Sequence, residues 1–188
     1  MSKLRAVTIV AGAPFLGDWL AGAELPPDPR EMKLYFWKLL RQHAPAVTLA
    51  VGGIEVDLNQ HTGMAEAHLH FLGNIWRRFR LDWLREFLRE NVKRKRALNV
   101  SSPIPDSDRA YVVSYQFKFA PMEKYRWVSK NEGREKKRTG KVSLKGDAGR
   151  RALLWLDGHP PEAFIFTFGC KLLPGRLVLA KNEAEAET

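Results

Sequence analysis

Apolar and β-branched residues run together from Leu4 to Val10 (LRAVTIV), which predicts a first strand. A stretch rich in Gly, Ala and Pro follows and continues through Pro29. Asp28 and Pro29 stand where an N-cap and a first helical residue belong, and Met32, Tyr35, Phe36, Leu39 and Leu40 then recur at helical spacing as far as Pro45. A helix is expected there. Val47 to Leu58 returns to strand character, Asn59 to Ala65 (NQHTGMA) reads as a connection, and Glu66 to Ile75 is a second strand pairing with it as an antiparallel hairpin. Leu81 to Val92 carries apolar residues at 81, 84, 87, 88 and 92 with charged residues between them, the pattern of an amphipathic helix, and runs into the basic stretch Lys93, Arg94, Lys95 and Arg96.

Beyond this point the hydrophobic signal is weaker. Asn99 to Ser107 is turn-rich and reads as a linker. Tyr111 to Phe119 would be a strand by β propensity alone, but residues 111, 115 and 118 follow the i, i+4, i+7 spacing of one helical face. From Lys124 to Arg151 eleven residues are Lys or Arg against three acids, which predicts a mobile basic loop leading into a short helix at Ala152 to Leu156. Ala163 to Gly169 (AFIFTFG) has the composition of a late strand, and the acidic tail from Asn182 to Thr188 is expected to fray.

With 188 residues and 45% hydrophobic content, the chain can bury one sizeable core, so a single domain spanning 1–188 is expected. Lys and Arg outnumber Asp and Glu by 31 to 21, a formal net charge of +10 that favours a polyanionic partner. The single cysteine, Cys170, excludes an internal disulfide framework and a thiolate-rich zinc site. The apolar stretches are interrupted before membrane-spanning length, and Met1 to Leu20 lacks a signal core; a cytoplasmic protein without membrane attachment is expected.

Candidate chemistry concentrates on the hairpin. His68 and His70 are two residues apart in a strand, so both imidazoles project from one face while Leu69 points to the other. On the preceding strand Glu55 and Asp57 share a face by the same rule, and pairing can bring one of them beside the histidines. Two imidazoles and a carboxylate suit a divalent cation such as Mn²⁺ or Mg²⁺ that also holds a phosphate oxygen. Glu55 is the preferred third ligand, and His61 in the connection is a weaker candidate. On the tyrosine segment a phenol is a poor nucleophile at neutral pH unless a neighbouring cation or metal-bound phosphate stabilises the phenolate, a role open to Lys118. Judged in isolation, an amphipathic strand with aromatic core residues is the better reading of this segment.

The order of these elements resembles the HUH endonucleases, and among them the rolling-circle replication initiators of plasmids and small phages. The likeness covers about the first two thirds of the chain. It rests on His68-Leu69-His70 within AEAHLHFLGNI and on Tyr115 with Lys118 three residues later. Members with two tyrosines carry Tyr-Val-x-Lys-Tyr-x-x-Lys, which Tyr111 to Lys118 matches except that Ser114 replaces the first lysine. That departure favours Tyr115 over Tyr111 as nucleophile.

The resemblance implies an α+β fold, a central mostly antiparallel sheet flanked by helices with a ferredoxin-like or RRM-like core, in which the histidine pair faces the tyrosine helix across a cleft. It also implies an activity: site-specific nicking and joining of single-stranded or extruded origin DNA through a 5′-phosphotyrosine, with metal held by His68, His70 and Glu55. A bacterial host cell and a separate host helicase follow from the same likeness. Arg77, Arg78 and Arg80, the run Lys93 to Arg96, and the segment containing Lys136, Lys137 and Arg138 are the expected DNA track, with Tyr125 and Trp127 available for base stacking. Trp76, Trp83 and Trp155 lie in amphipathic contexts and are expected in the core. A transposase or relaxase with the same chemistry, and a non-catalytic nucleic-acid-binding module, are the alternatives.

Overall fold

The computed structural model describes residues 4–11, 28–59, 64–75, 81–92, 97–117, 122–131, 134–143, 146–174 and 176–180. The opening half follows the order β1 (Arg5–Ala11), α1 (Pro29–His43), β2 (Ala50–Asn59), β3 (Met64–Gly73), α2 (Asp82–Val92) and β4 (Leu98–Pro103). Strands β4, β1, β3 and β2 lie side by side in that order and every neighbouring pair is antiparallel, the split βαβ arrangement of a ferredoxin-like core. A late strand, β7 (Ile165–Phe168), adds antiparallel to the outer edge of β2 at residues 50–53. The fold is therefore α+β, with a five-stranded antiparallel sheet flanked by helices.

Local chemistry explains the helix starts. Asp28 Oδ1 accepts a hydrogen bond from the Arg30 amide at 2.7 Å, and Pro29 occupies the first helical position, where its missing N–H costs nothing. Met32, Phe36, Leu39 and Leu40 of α1 and Leu84 and Leu88 of α2 are buried against one face of the sheet, where Val7, Ile9, Ile54, Leu69 and Phe71 meet them. Phe36, Phe71 and Leu69 are completely enclosed. This layer covers one side of the sheet and leaves the histidine side to a different element.

Two expectations for the second half need correction. The turn-rich stretch expected as a linker from Asn99 is the edge strand β4, in which Val100 is the buried residue, opposite Val7. Few apolar residues are needed in a strand that packs on one side, and Pro103 is tolerated at its end because no further strand among the described residues lies beyond it. The lysine-rich stretch from 124 is a hairpin, β5 (Met122–Asn131) with β6 (Arg134–Ser143), paired antiparallel throughout. It joins β2 through a short parallel ladder at Asp57–Asn59, extending the sheet among the described residues to seven strands. Ladder hydrogen bonds are satisfied locally in a hairpin, so high charge, expected to mark a loop, is compatible with a strand.

The helix expected at 152–156 is longer, α4 (Gly146–Asp157). Its Trp155 is buried against Phe164, with ring centroids 5.2 Å apart, as expected for a core residue. Trp83 is not in the core: it is 77% exposed on α2, because the apolar stripe of that helix runs through Leu81, Leu84 and Leu88 instead. A small hairpin, β8 (Cys170–Leu173) with β9 (Arg176–Leu179), follows β7. Gly169 turns the chain into it at φ +69°, where a side chain would meet the Thr48 carbonyl oxygen at 2.0 Å.

Residues 111–116 lie in a helix, α3 (Arg109–Gln116), preceded by a single 3₁₀ turn at Asp106–Asp108. It lies beside β2 and β3 on the face opposite α1 and α2. Trp76, His61, Lys118, Arg77, Arg78, Arg80, Lys93 to Arg96 and the tail 182–188 lie outside the described residues. No helix among the described residues is long and apolar enough to cross a membrane.

Candidate metal centre

β3 is the middle strand of the site, and alternation along it separates the two kinds of side chain. Ala67, Leu69 and Phe71 enter the hydrophobic layer, and His68 and His70 point to the opposite face. In the ladder His68 stands between Val10 of β1 and Glu55 of β2, and His70 between Thr8 and Gly53. Glu55 and Asp57, two residues apart on β2, therefore share the histidine face.

All four side chains are buried: Glu55 is 4% exposed, Asp57 0%, His68 5% and His70 7%. Burying ionisable groups costs several kcal/mol each unless partners compensate, so such a group is not an ordinary sheet surface. Glu55 Oε2 lies 3.1 Å from His70 Nε2, and Asp57 Oδ2 lies 3.7 Å from His68 Nε2. The two imidazoles are near-parallel, with centroids 5.8 Å apart and planes 29° apart.

Glu55, His68 and His70 each offer a ligand atom within 4.8 Å of the others, so this buried trio can hold a metal ion. Two imidazole nitrogens and one carboxylate oxygen are the donor types that suit a first-row or hard divalent cation and leave coordination positions open. Asp57, which shares their face, flanks His68 from outside the trio. Gly53, opposite His70 in the ladder, contributes no side chain of its own beside that ring.

The sequence pattern did not single out Thr8. Its Oγ1 lies 3.0 Å from His70 Nδ1, so Thr8 and Glu55 grip the two nitrogens of one ring. With Nδ1–H donating to Thr8, Nε2 presents its lone pair toward Glu55 Oε2, and a cation bound between them would be held by both acceptors. In the other tautomer Nε2–H donates to Glu55 and the Thr8 hydroxyl donates to Nδ1. The polar Thr8 between apolar Val7 and Ile9 was the available signal, since alternation alone puts it on the histidine face once β1 neighbours β3.

α3 closes the site from above. Tyr115 makes an edge contact with His70 at 5.9 Å between ring centroids, its plane nearly perpendicular to the imidazole. Tyr111, one turn earlier on the same helical face, is 74% exposed, against 47% for Tyr115. Ser114, at the position where a lysine was sought, donates its hydroxyl to the Tyr111 carbonyl at 2.7 Å. The structure thus brings Glu55, His68, His70 and Tyr115 together, with Tyr111 at the rim of the same cleft. Lys136, Lys137 and Arg138 are on β6, in register with Ser129, Val128 and Trp127, so these expected DNA contacts belong to a strand and not a loop.

No protein-family model, curated protein or solved structure matches this chain.

Proposed function

We propose that the chain is a metal-dependent tyrosine endonuclease and strand transferase of the HUH type, an initiator of rolling-circle DNA replication. The observation that carries this is the Tyr115 ring packed edge-on against His70, a member of a buried trio with metal-ligand chemistry. A phenol that is half-exposed to solvent and touches the ring of a candidate metal ligand supports the role of nucleophile. The antiparallel sheet carrying the histidines, the helix carrying the tyrosine and the net charge of +10 support the same reading.

Glu55, His68 and His70 would hold the cation, and a bound Mn²⁺ or Mg²⁺ would supply Lewis-acid polarisation of the scissile phosphate. Thr8 orients the His70 ring. Tyr115 Oη forms a bond to phosphorus while the bond from phosphorus to the 3′ oxygen breaks. The phenol loses its proton, the departing 3′ oxygen gains one, and the 5′ phosphate stays on the tyrosine. Attack by a 3′-OH on that phosphotyrosine reverses the step and joins strands, so no nucleotide cofactor is required. Origin DNA in single-stranded or extruded form is the substrate, and unwinding is left to a helicase partner in the host cytoplasm.

The direct test is incubation with labelled single-stranded DNA and Mn²⁺, followed by a denaturing gel. A covalent protein–DNA band that requires metal and disappears in His68→Ala and Tyr115→Phe is expected. Salt-sensitive binding without cleavage or adduct across a wide substrate panel would instead leave a non-catalytic binding module.

A further inference from the structure

Beside the candidate metal centre, between α3 and strands β1 and β4, lies a cleft of about 310 Å³. Thr8, Asn99 and Ser101 form its sheet side, and Tyr111, Tyr115 and Gln116 its helix side. None of these six side chains carries a formal charge at neutral pH. Among the described residues a phosphate would find no cation here, whereas a neutral, planar, polar group would find both hydrogen-bonding side chains and aromatic rings. The volume is at the small end of the ~300–1,000 Å³ of small-molecule sites, sufficient for one base and too small for a duplex.

The ladder fixes where this cleft lies relative to the metal ligands. His70, Thr8 and Asn99 form one row across β3, β1 and β4 on the same face. Asn99 is therefore two strand spacings, about 10 Å, from His70. A strand whose phosphate sits at the histidines can place a neighbouring base over this row. Asn99 is exposed at the edge strand, and its amide offers a donor and an acceptor side by side. Gln116, 3% exposed, adds a second amide at the inner end, where its Oε1 has no hydrogen-bond partner among the described residues and its Nε2 reaches the Val112 carbonyl at 3.3 Å.

Resting on the nucleic-acid reading above, we infer that this cleft receives one unpaired base next to the cleaved phosphate and that Asn99 discriminates its identity. Tyr111 and Tyr115 provide the stacking surface, which is indifferent to sequence, and the amide at Asn99 provides the choice among bases. Asn99 is thus a specificity residue and takes no part in bond breaking.

Fluorescence anisotropy with short fluorescein-labelled oligo-dA, oligo-dC and oligo-dT, in EDTA so that nothing is cleaved, measures this without reference to catalysis. Wild-type protein is expected to rank the three with a spread of about tenfold or more, the discrimination of one amide–base pair. Asn99→Ala should compress that spread while leaving the salt dependence of binding in place. Asn99→Asp, which keeps an acceptor and loses the donor, should re-rank the bases toward cytosine. Equal affinities in the wild type, or a ranking that both variants preserve, overturns the assignment. Absence of cleavage with Mn²⁺ would remove the nuclease reading and leave this binding result to stand or fall by itself.

Discussion

Replacing Thr8 by valine deletes a hydroxyl and keeps the volume, so it isolates the hydrogen bond that Thr8 Oγ1 shares with His70 Nδ1 at 3.0 Å. His70 is 7% exposed, and water cannot freely replace the lost partner. Leaving one buried ring nitrogen unsatisfied costs about 1–3 kcal/mol. In the metal-bound form the loss falls on ligand orientation, and removing such an outer partner costs about 10–100-fold in affinity, or about 1.4–2.8 kcal/mol. Calorimetric titration with Mn²⁺, beside circular dichroism to establish folding, reads the effect. Thr8→Ser, which restores a hydroxyl, should recover most of it. A Thr8→Val protein that is folded and binds Mn²⁺ within twofold of wild type would refute the claim that Thr8 positions His70 as a ligand.

Other consequences are accessible to simple measurements. Phe71→Ala empties a completely enclosed site beneath the histidine strand and should cost about 3–5 kcal/mol in urea denaturation. Gly52→Ala should also destabilise the hairpin, by at least about 1–3 kcal/mol, because an added methyl would lie 1.8 Å from the His70 carbonyl oxygen; unchanged stability would contradict the close β2–β3 approach. Burial pushes the Cys170 thiol above its ordinary pKa, with a Phe168 backbone hydrogen bond offsetting part of the effect. The unfolded chain then loses that proton first as pH rises, so this contribution to stability is present below the ordinary thiol pKa and is lost through the alkaline range above it. Iodoacetamide should accordingly label Cys170 slowly in the native protein and quickly in denaturant, and equal rates would show the thiol to be open.

The histidine pair and its carboxylate are legible in the sequence because strand alternation is strict: once 68 and 70 are in a strand, their common face follows. The choice of Glu55 needs only the hairpin register, which the short connection restricts. Helix α3 is legible for a different reason, since the spacing of Tyr111 and Tyr115 outweighs the β propensity of Val112 and Val113 when one helical face has a site to cover. Thr8 and Asn99 are not legible in the same way. Their roles depend on β1 and β4 lying beside β3, a long-range arrangement to which hydrophobic periodicity is blind. The β5–β6 hairpin is hidden for a third reason, because its lysines and arginines mask the alternation that marks a strand buried on one face.

The claim that most needs testing is that Tyr115 becomes joined to DNA. Tryptic digestion of the protein after incubation with single-stranded DNA and Mn²⁺ releases peptide 110–118, which contains both Tyr111 and Tyr115. Tandem mass spectrometry of that peptide, after nuclease trimming of the DNA, locates the modified residue directly. A nucleotide 5′-phosphate on Tyr115 is the predicted result; a nucleotide on Tyr111 would transfer the nucleophile, and an unmodified peptide from every substrate tried would contradict the account.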